Sequence, residues 1–193
     1  MKNSDEINSV LLNLLTSARV VLATVIICSL AYPLIILAAG QLLSPKTANG
    51  SLVYDSQGNV VGSLLIAQSF SRPEYFRPRP SAVDYNAAAT GGSNLSPTNP
   101  KLQERAQTII SLFNASATTP VPADLVSASG SGLDPHITVN AAKYQAARVA
   151  SARKVPQKTV MELIEKHALR VLSQEPLVNV LAINIDLDKM KNN

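Results

Sequence analysis

The chain has 193 residues, a formal net charge of +4 and 16% charged residues, and it contains no tryptophan. Its basic residues are scattered and no aromatic cluster accompanies them, which argues against a nucleic-acid-binding face. One cysteine, Cys28, and two histidines leave no cluster of metal-ligating residues, so we expect neither a metal site nor a disulfide.

The N-terminal part is dominated by an uncharged apolar run from Val20 to Ala39. A helix of about 20 residues rises about 30 Å, the thickness of the hydrocarbon core of a bilayer. We therefore predict a transmembrane helix over residues 20–43. A cleaved signal peptide is the main alternative, but the run is longer than an ordinary signal-peptide core. Apolar positions within residues 7–15 have helical spacing, and they either extend the span or form an amphipathic helix at the interface.

Charges that flank the apolar run predict its orientation. Lys2 and Arg19 precede the run and Lys46 follows it, which is a slight positive-inside bias. We expect residues 1–19 to be a cytoplasmic segment and residues 44–193 to form an extracytoplasmic, periplasmic domain.

Two strands and a long loop follow the predicted anchor. Residues 51–55 and 59–70 have the composition of strands, and Gly58 between them supplies the positive φ that a tight hairpin turn often needs. The loop that follows, up to residue 100, is rich in Pro, Gly, Asn and Ser. Counted from Phe70, it holds four of the chain's eight aromatic residues: Phe70, Tyr75, Phe76 and Tyr85. Loops of this length in compact domains are usually functional or disordered.

Aromatic and arginine side chains on an ordered loop are typical of protein-binding surfaces. We therefore predict that this loop contacts a partner. The candidate interface residues are Tyr75, Phe76, Arg77, Arg79, Tyr85 and Asn94. The alternative is that the aromatic side chains pin the loop to the core of their own domain, and the residue types leave both alternatives open.

A first helix of the domain is predicted at Asn99-Pro100, where asparagine suits the N-cap and proline the first turn. Its buried stripe is expected at Leu102, Ala106, Ile109, Ile110 and Phe113. A second, alanine-rich helix is predicted from Val139 to Arg153, with Thr138 as its N-cap.

A third helix is predicted to start at Pro156. Its apolar stripe comprises Val160, Leu163, Ile164, His167 and Val171. The segment from Val178 to Asp188 is apolar on both faces at its start, which predicts a strand buried on both sides. These elements predict an α/β fold of the α+β kind, in which a single membrane helix precedes one domain with a small sheet and about three helices.

The segment SASGSGLDPH, residues 127–136, concentrates hydroxyls around one acid and one histidine. Ser129 or Ser131 as nucleophile, with His136 and Asp134, would make the chain a membrane-anchored periplasmic hydrolase. The GxSxG nucleophile elbow is missing, however, and the sequence has no phosphate-binding loop. The structural alternative is that Ser129, Ser131 and Asp134 order this loop, with the glycines supplying tight turns.

Five segments share their order, spacing and unusual composition with one known family. They are GSLLIAQSF at 62–70, YFRPRPSAVDYN at 75–86, GSNLSPTNPKL at 92–102, SASGSGLDPHI at 127–137 with AAKYQAARVASAR at 141–153, and VNVLAINIDLD at 178–188. With the N-terminal anchor, these segments resemble the C subunit of the Kdp potassium-transporting P-type ATPases. Ala67 and Arg77-Pro78 depart from the family pattern and affect only the local shape of the loop.

The resemblance implies a non-catalytic subunit of a four-subunit, ATP-driven potassium uptake complex in the bacterial inner membrane. Its partners would be a channel-like subunit that selects potassium, a P-type pump subunit that hydrolyses ATP, and a small hydrophobic subunit. The resemblance also implies a catalytic chaperone that raises the affinity of the pump for ATP, with Gln145 as a nucleotide contact.

Gln145 and Arg148 share one face of the second predicted helix, because they are three residues apart. An external domain without a phosphate-binding loop does not meet cytoplasmic ATP. We therefore interpret Gln145 and Arg148 as side chains that order the neighbouring loop at residues 129–134. We expect the chain to bind no cofactor directly, with ATP and potassium handled by the complex.

Overall fold

The structure is a computed structural model that describes residues 2–55, 57–113, 115, 118–170 and 175–191. The chain divides into two compact units, one ending at Ser51 and one beginning at Leu52. Val171, which the sequence places on the stripe of the third predicted helix, lies outside the described residues.

The first unit is a long apolar helix with one irregular turn. It comprises α1 (Lys2–Val25), a π-helical turn (Ile26–Ala31), α2 (Tyr32–Leu43) and the short α3 (Pro45–Ala48). The stretch Ile7–Leu43 is long and apolar enough to cross a membrane, and an 18-residue window within it has a mean hydropathy of 2.6. Its large apolar side chains are exposed, as expected of a helix that faces lipid.

Pro33 accounts for the irregular turn. Proline has no backbone N–H and its ring crowds the carbonyl four residues earlier, so the ordinary helical hydrogen-bond pattern fails there. The Tyr32 N–H bonds the Ile27 carbonyl, five residues back, which is the π-helical pattern. The apolar helix thus keeps its backbone bonded across the proline, as a membrane helix must.

The second unit begins with the predicted hairpin. Strands β1 (Leu52–Tyr54) and β2 (Val60–Ser63) pair antiparallel, with an irregular register at Tyr54. The Asp55 carboxylate accepts hydrogen bonds from the backbone N–H of Gln57 and of Asn59, and Gly58 has a φ of +86°. The turn chemistry that predicted the hairpin is confirmed, but the second strand ends at Ser63, before the predicted end at residue 70.

The remaining elements are α4 (Pro100–Leu112), α5 (Ala123–Val126), β3 (His136–Thr138), α6 (Val139–Arg153), α7 (Gln157–Lys166), β4 (Leu177–Asn179) and α8 (Val180–Lys191). Strands β3 and β4 pair antiparallel, with Ile137 opposite Val178. Two two-stranded sheets and several helices make the domain α+β, as predicted. The predicted bounds of α6 are confirmed, and the Thr138 hydroxyl accepts the Ala141 N–H as an N-cap does.

The prediction of a strand from Val178 to Asp188 is wrong. The strand ends at Asn179, whose side chain accepts the Ala182 N–H and so caps α8. The buried positions of the helix are Val180, Leu181, Ile183, Asn184 and Leu187, which follow helical spacing. The pattern was hidden because one of the inward-facing residues is a polar asparagine.

The core of the domain lies in its C-terminal part. Buried apolar side chains there come from α5, β3, α6, α7, β4 and α8, and Phe76 joins them from the long loop. The predicted stripe of α7 is confirmed at Val160, Leu163 and Ile164, which are buried, but the helix ends at Lys166, before the predicted position His167. The predicted stripe of α4 is only half-buried: Leu102, Ala106, Ile109 and Phe113 have intermediate exposure, and Ile110 is 41% exposed.

Candidate functional site

Residues 72–80, RPEYFRPRP, form an extended segment that we call the strap. Its three prolines lack backbone donors, so it cannot pair along its length as a strand in a regular sheet. The peptide groups in its middle are bonded by two side-chain amides instead. Asn184 of α8 accepts the Phe76 N–H at 2.8 Å and donates to the Phe76 carbonyl at 3.0 Å.

Gln145 of α6 bonds both backbone groups of Arg77, the next residue of the strap. Its Oε1 accepts the Arg77 N–H at 2.9 Å and its Nε2 donates to the Arg77 carbonyl at 3.1 Å. The side chain is 1% exposed. Buried peptide groups need partners, and Asn184 and Gln145 supply them where a neighbouring strand would otherwise do so.

Two arginines of α6 bind carbonyl groups of the strap. Arg148 donates to the Tyr75 carbonyl at 3.0 Å and to Gln145 Oε1 at 2.6 Å, which orients the glutamine amide. Arg153 donates to the Glu74 carbonyl at 2.7 Å and to Asp188 Oδ1 at 2.8 Å. The face of α6 that carries Gln145, Arg148 and Arg153 therefore holds the strap.

These contacts correct the interpretation of Gln145 and Arg148 as residues that order the loop at 129–134. Their described hydrogen bonds go to the strap, 68 to 75 residues away in sequence. The reason is geometric, because seven residues of helix separate Gln145 from Thr138 and carry it about 10 Å away from the loop that precedes α6.

The loop at 129–134 is bonded by its own side chains. Ser129 Oγ accepts the N–H of Gly132 at 3.1 Å and of Asp134 at 3.3 Å, and Ser131 Oγ accepts the N–H of Leu133 at 3.1 Å. Gly132 has a φ of +72°, and a Cβ there would lie 2.7 Å from a methyl group of Val83. A larger residue at 132 would therefore strain the backbone and clash.

Asp134 connects this loop to the strap. Its carboxylate accepts the His136 N–H at 3.0 Å and pairs with Arg79 Nη1 at 3.1 Å. Burial would raise the pKa of Asp134, but the hydrogen bonds from His136 and the charge of Arg79 outweigh it and hold the pKa below its ordinary value. Asp134 thus stays ionised and fixes the end of the strap.

The hydrolase alternative requires a serine hydroxyl hydrogen-bonded to His136. Among the described residues the Ser129 and Ser131 hydroxyls bond each other and backbone N–H groups, and neither bonds His136. Ser129 is 3% exposed, which also keeps it from a substrate. In the described part of the chain, no group of three or more His, Cys, Asp or Glu side chains is placed to hold a metal ion.

The candidate interface residues occupy different environments. Phe76 is fully buried in the core of its own domain, so its prediction as a partner contact is wrong. Tyr75 is half-buried, and the centre of its ring lies 4.8 Å from the guanidinium carbon of Arg72 and 5.0 Å from that of Arg153. For Phe76, the alternative that an aromatic side chain pins the loop to its own core therefore holds. Asn184 bonds the backbone groups of Phe76, and the ring of Phe76 is buried in the core.

Arg79, Tyr85 and Asn94 complete the candidate set. The Tyr85 hydroxyl donates to the Arg79 carbonyl at 2.9 Å, and burial raises the pKa of Tyr85. Asn94 is exposed with a φ of +51°, a conformation that asparagine tolerates better than most residues. Asn184 and Arg153, which hold the strap, were missed; the signal for Asn184 was a polar residue at a core position of an apolar helix.

The fold defines a class of protein: one N-terminal helix of membrane-spanning length, followed by a single α+β domain, as in a single-pass membrane protein. Residues 14–189 match the family model of KdpC, the c chain of the K+-transporting ATPase. The chain belongs to the KdpC family, and hence to the subunits of a K+-transporting ATPase complex.

Curated relatives match over nearly their whole length. The potassium-transporting ATPase KdpC subunit of Parvibaculum lavamentivorans is 48% identical over 92% of this chain and 96% of its own. The KdpC subunit of Myxococcus xanthus is 47% identical over 91% of this chain and 87% of its own. The KdpC subunit of Pseudomonas aeruginosa is 46% identical over 90% of this chain and 97% of its own.

Proposed function

We propose that the chain is a non-catalytic accessory subunit that assembles and stabilises an ATP-driven potassium uptake complex in the bacterial inner membrane. Its partners are a channel-like subunit, a P-type pump subunit and a small hydrophobic subunit. The observation that carries the proposal is the family match over residues 14–189, which includes both the apolar helix and the domain.

The proposed orientation places the N-terminus in the cytoplasm and the domain outside it. Lys2 and Arg19 before the apolar run and Lys46 after it support this only through the small excess of basic residues on the N-terminal side. Protease added to intact spheroplasts should digest residues beyond Lys46. Complete protection of the domain would reverse the orientation.

We further propose that the chain binds neither ATP nor potassium itself. Both ends of the Gln145 amide are bonded to the strap, and the side chain is buried, so a nucleotide would have to displace the strap to reach it. Any effect on the ATP affinity of the pump would then pass through protein contacts between subunits.

The experiment that tests the proposal removes the chain from cells that express the other subunits. We expect the remaining subunits to co-purify poorly and potassium-stimulated ATPase activity to fall, and the re-expressed chain should restore both. A complex that assembles and hydrolyses ATP normally without the chain would overturn the proposal.

A further inference from the structure

Two arginines of the domain differ from most of the others in having no acidic partner. Ion pairs join four arginines to carboxylates, at Arg72–Glu74, Arg79–Asp134, Arg153–Asp188 and Arg170–Glu165. Within the described residues, Arg77 of the strap and Arg148 of α6 form no ion pair, and the same holds for Arg105 on the exposed helix α4. Arg77 and Arg148 are distinguished from Arg105 because they are neighbours.

The Arg148 guanidinium meets the backbone of Arg77 at one shared acceptor. The Arg77 backbone N–H and Arg148 Nη2 both bond the same atom, Gln145 Oε1, at 2.9 and 2.6 Å. Burial lowers the pKa of Arg77, and it lowers the pKa of Arg148 to about 10, with the charge of Arg77 as the second cause. Two like charges therefore share a half-buried site that holds no described carboxylate.

Both guanidinium groups also retain unused donors. Arg77 Nη2 donates to the Ser71 carbonyl at 3.1 Å, whereas Arg77 Nη1 is buried and has no hydrogen-bond partner in the described structure. The same is true of Arg148 Nε. Unpaired buried donors and unneutralised charges are both unfavourable, and an anion that reached them would relieve both.

An aromatic ring lies beside the Arg77 guanidinium. The Arg77 guanidinium carbon is 5.7 Å from the centre of the Phe113 ring, and that ring packs edge-on against Tyr144 at 5.9 Å. Arginine beside an aromatic ring is a frequent anchor in protein interfaces. A rotation of the long Arg77 side chain off the ring would bring its covered N–H groups to the surface.

We propose that Arg77 and Arg148 form a receptor site for a carboxylate side chain of a partner subunit. A carboxylate suits this site because its two oxygens match the planar donors of a guanidinium and its charge offsets the excess positive charge. The inference rests on the proposed function, since it assigns a contact within the assembled complex. The strap holds the site rigidly, because Gln145 fixes the backbone of Arg77 and orients Arg148 in the same bonds.

The test uses the assembled complex and a zero-length carbodiimide, which joins a lysine amine to a carboxylate in direct contact. In the Arg77→Lys variant, mass spectrometry should identify a cross-link from position 77 to an Asp or Glu of another subunit. Arg170→Lys is the matched control. Its side chain is 74% exposed and lies beside Glu165, so its product should stay within the chain. A purified Arg77→Lys complex without an intersubunit cross-link at position 77 would overturn the proposal.

A second variant tests the strength of the contact. Removing one partner of a buried charge pair weakens binding by roughly tenfold or more, so Arg77→Gln should be lost from the complex at a correspondingly lower salt concentration. Arg170→Gln carries the same charge change and should behave as the wild type. The isolated Arg77→Gln chain should melt like the wild type, because the hydrogen bonds of the strap to Gln145 use only its backbone. Unchanged salt resistance of the Arg77→Gln complex would refute the contact.

A third measurement separates the proposed source of the anion from free anions. Inorganic phosphate, acetate or ATP, added to the isolated chain in detergent, should leave its melting temperature without a saturable rise. A saturable rise that Arg77→Gln abolishes would assign the site to a small anion instead. Failure of the wild-type chain to co-purify with any other subunit would reject the proposed function itself, which distinguishes the two failures.

Discussion

The helices α4 and α7 have similar sequence signals but are buried to different degrees. Asn99 is the N-cap residue of α4 and Pro156 that of α7. Each helix carries apolar residues at helical spacing. In α7 that stripe is buried in the core, whereas in α4 no residue is buried. An apolar stripe therefore shows which side of a helix can be covered, but not that the domain covers it.

The same contrast divides the whole domain. Residues 123–191 supply nearly all of the buried apolar side chains, while the region before them contributes Ala67 and Phe76. The strap belongs to this earlier region and is attached by hydrogen bonds from Gln145, Asn184, Arg148 and Arg153. One region is stabilised by packing, and the other is attached to it mainly by polar bonds, with the buried ring of Phe76 as an apolar contact.

The largest expected effect compares two isoleucines. Ile164→Ala in α7 removes a fully buried side chain and should lower the free energy of unfolding by about 2–5 kcal/mol. Ile110→Ala in α4 removes one that is 41% exposed and should change it by about 0.5 kcal/mol or less. Urea unfolding of the full chain in detergent measures both. Similar losses for the two variants would break the comparison, because they would mean that α4 packs as tightly as α7.

A smaller effect is expected from the bonds of the strap. Gln145→Ala leaves the peptide groups of Arg77 without partners and should lower the free energy of unfolding by about 1–3 kcal/mol. Hydrogen exchange of the Arg77 amide should accelerate more than that of Phe76, which Asn184 still holds.

Gln157→Ala at the exposed start of α7 is the matched control and should stay within about 0.5 kcal/mol of the wild type. Added ATP should leave the unfolding midpoint of the wild type and of Gln145→Ala unchanged. Saturable stabilisation of the wild type by ATP, absent in Gln145→Ala, would restore the nucleotide-contact role.

The smallest expected effect concerns the surface of the packed region. A hydrogen bond from Lys189, with a further one from His167, outweighs burial and lowers the pKa of Asp186 from 3.8 to about 2. A carboxyl whose pKa falls on folding stabilises the protein fully above its unfolded pKa. That contribution is lost as the pH falls through the folded pKa, here from about 4 to about 2.

At pH 7, Asp186→Asn should therefore lower the free energy of unfolding by less than about 1 kcal/mol, as for other surface ion pairs. The melting temperature should fall slightly as a result. The difference from the wild type should shrink as the pH falls from about 4 to about 2 and vanish below that range. Glu162→Gln, whose ion pair with Lys158 is exposed and 3.9 Å long, is the control and should have no pH-dependent effect. A difference that persists unchanged at pH 2 would show that Asp186 acts through something other than its charge.

Local signals in the sequence predicted several elements correctly. Thr138 capped a helix that ends at Arg153, and Gly58 marked the hairpin turn. The strand predicted from Val178 was wrong because the helical period of α8 passes through Asn184, a polar residue that the core accepts only because it bonds Phe76. For the candidate site, the loop and its arginines were found, but the partners of Gln145 and Arg148 were assigned to the wrong loop.

By itself, the sequence determined what depends on neighbouring residues: the uncharged helix of membrane length, the caps, the turns and the apolar face of α7. Tertiary structure alone decided which faces are covered and which polar groups meet. Gln145 and Arg77 are 68 residues apart, and Asn184 and Phe76 are 108 apart. Such pairs form because folding brings buried peptide groups of a proline-rich segment against helices that can bond them, and no local spacing encodes that meeting.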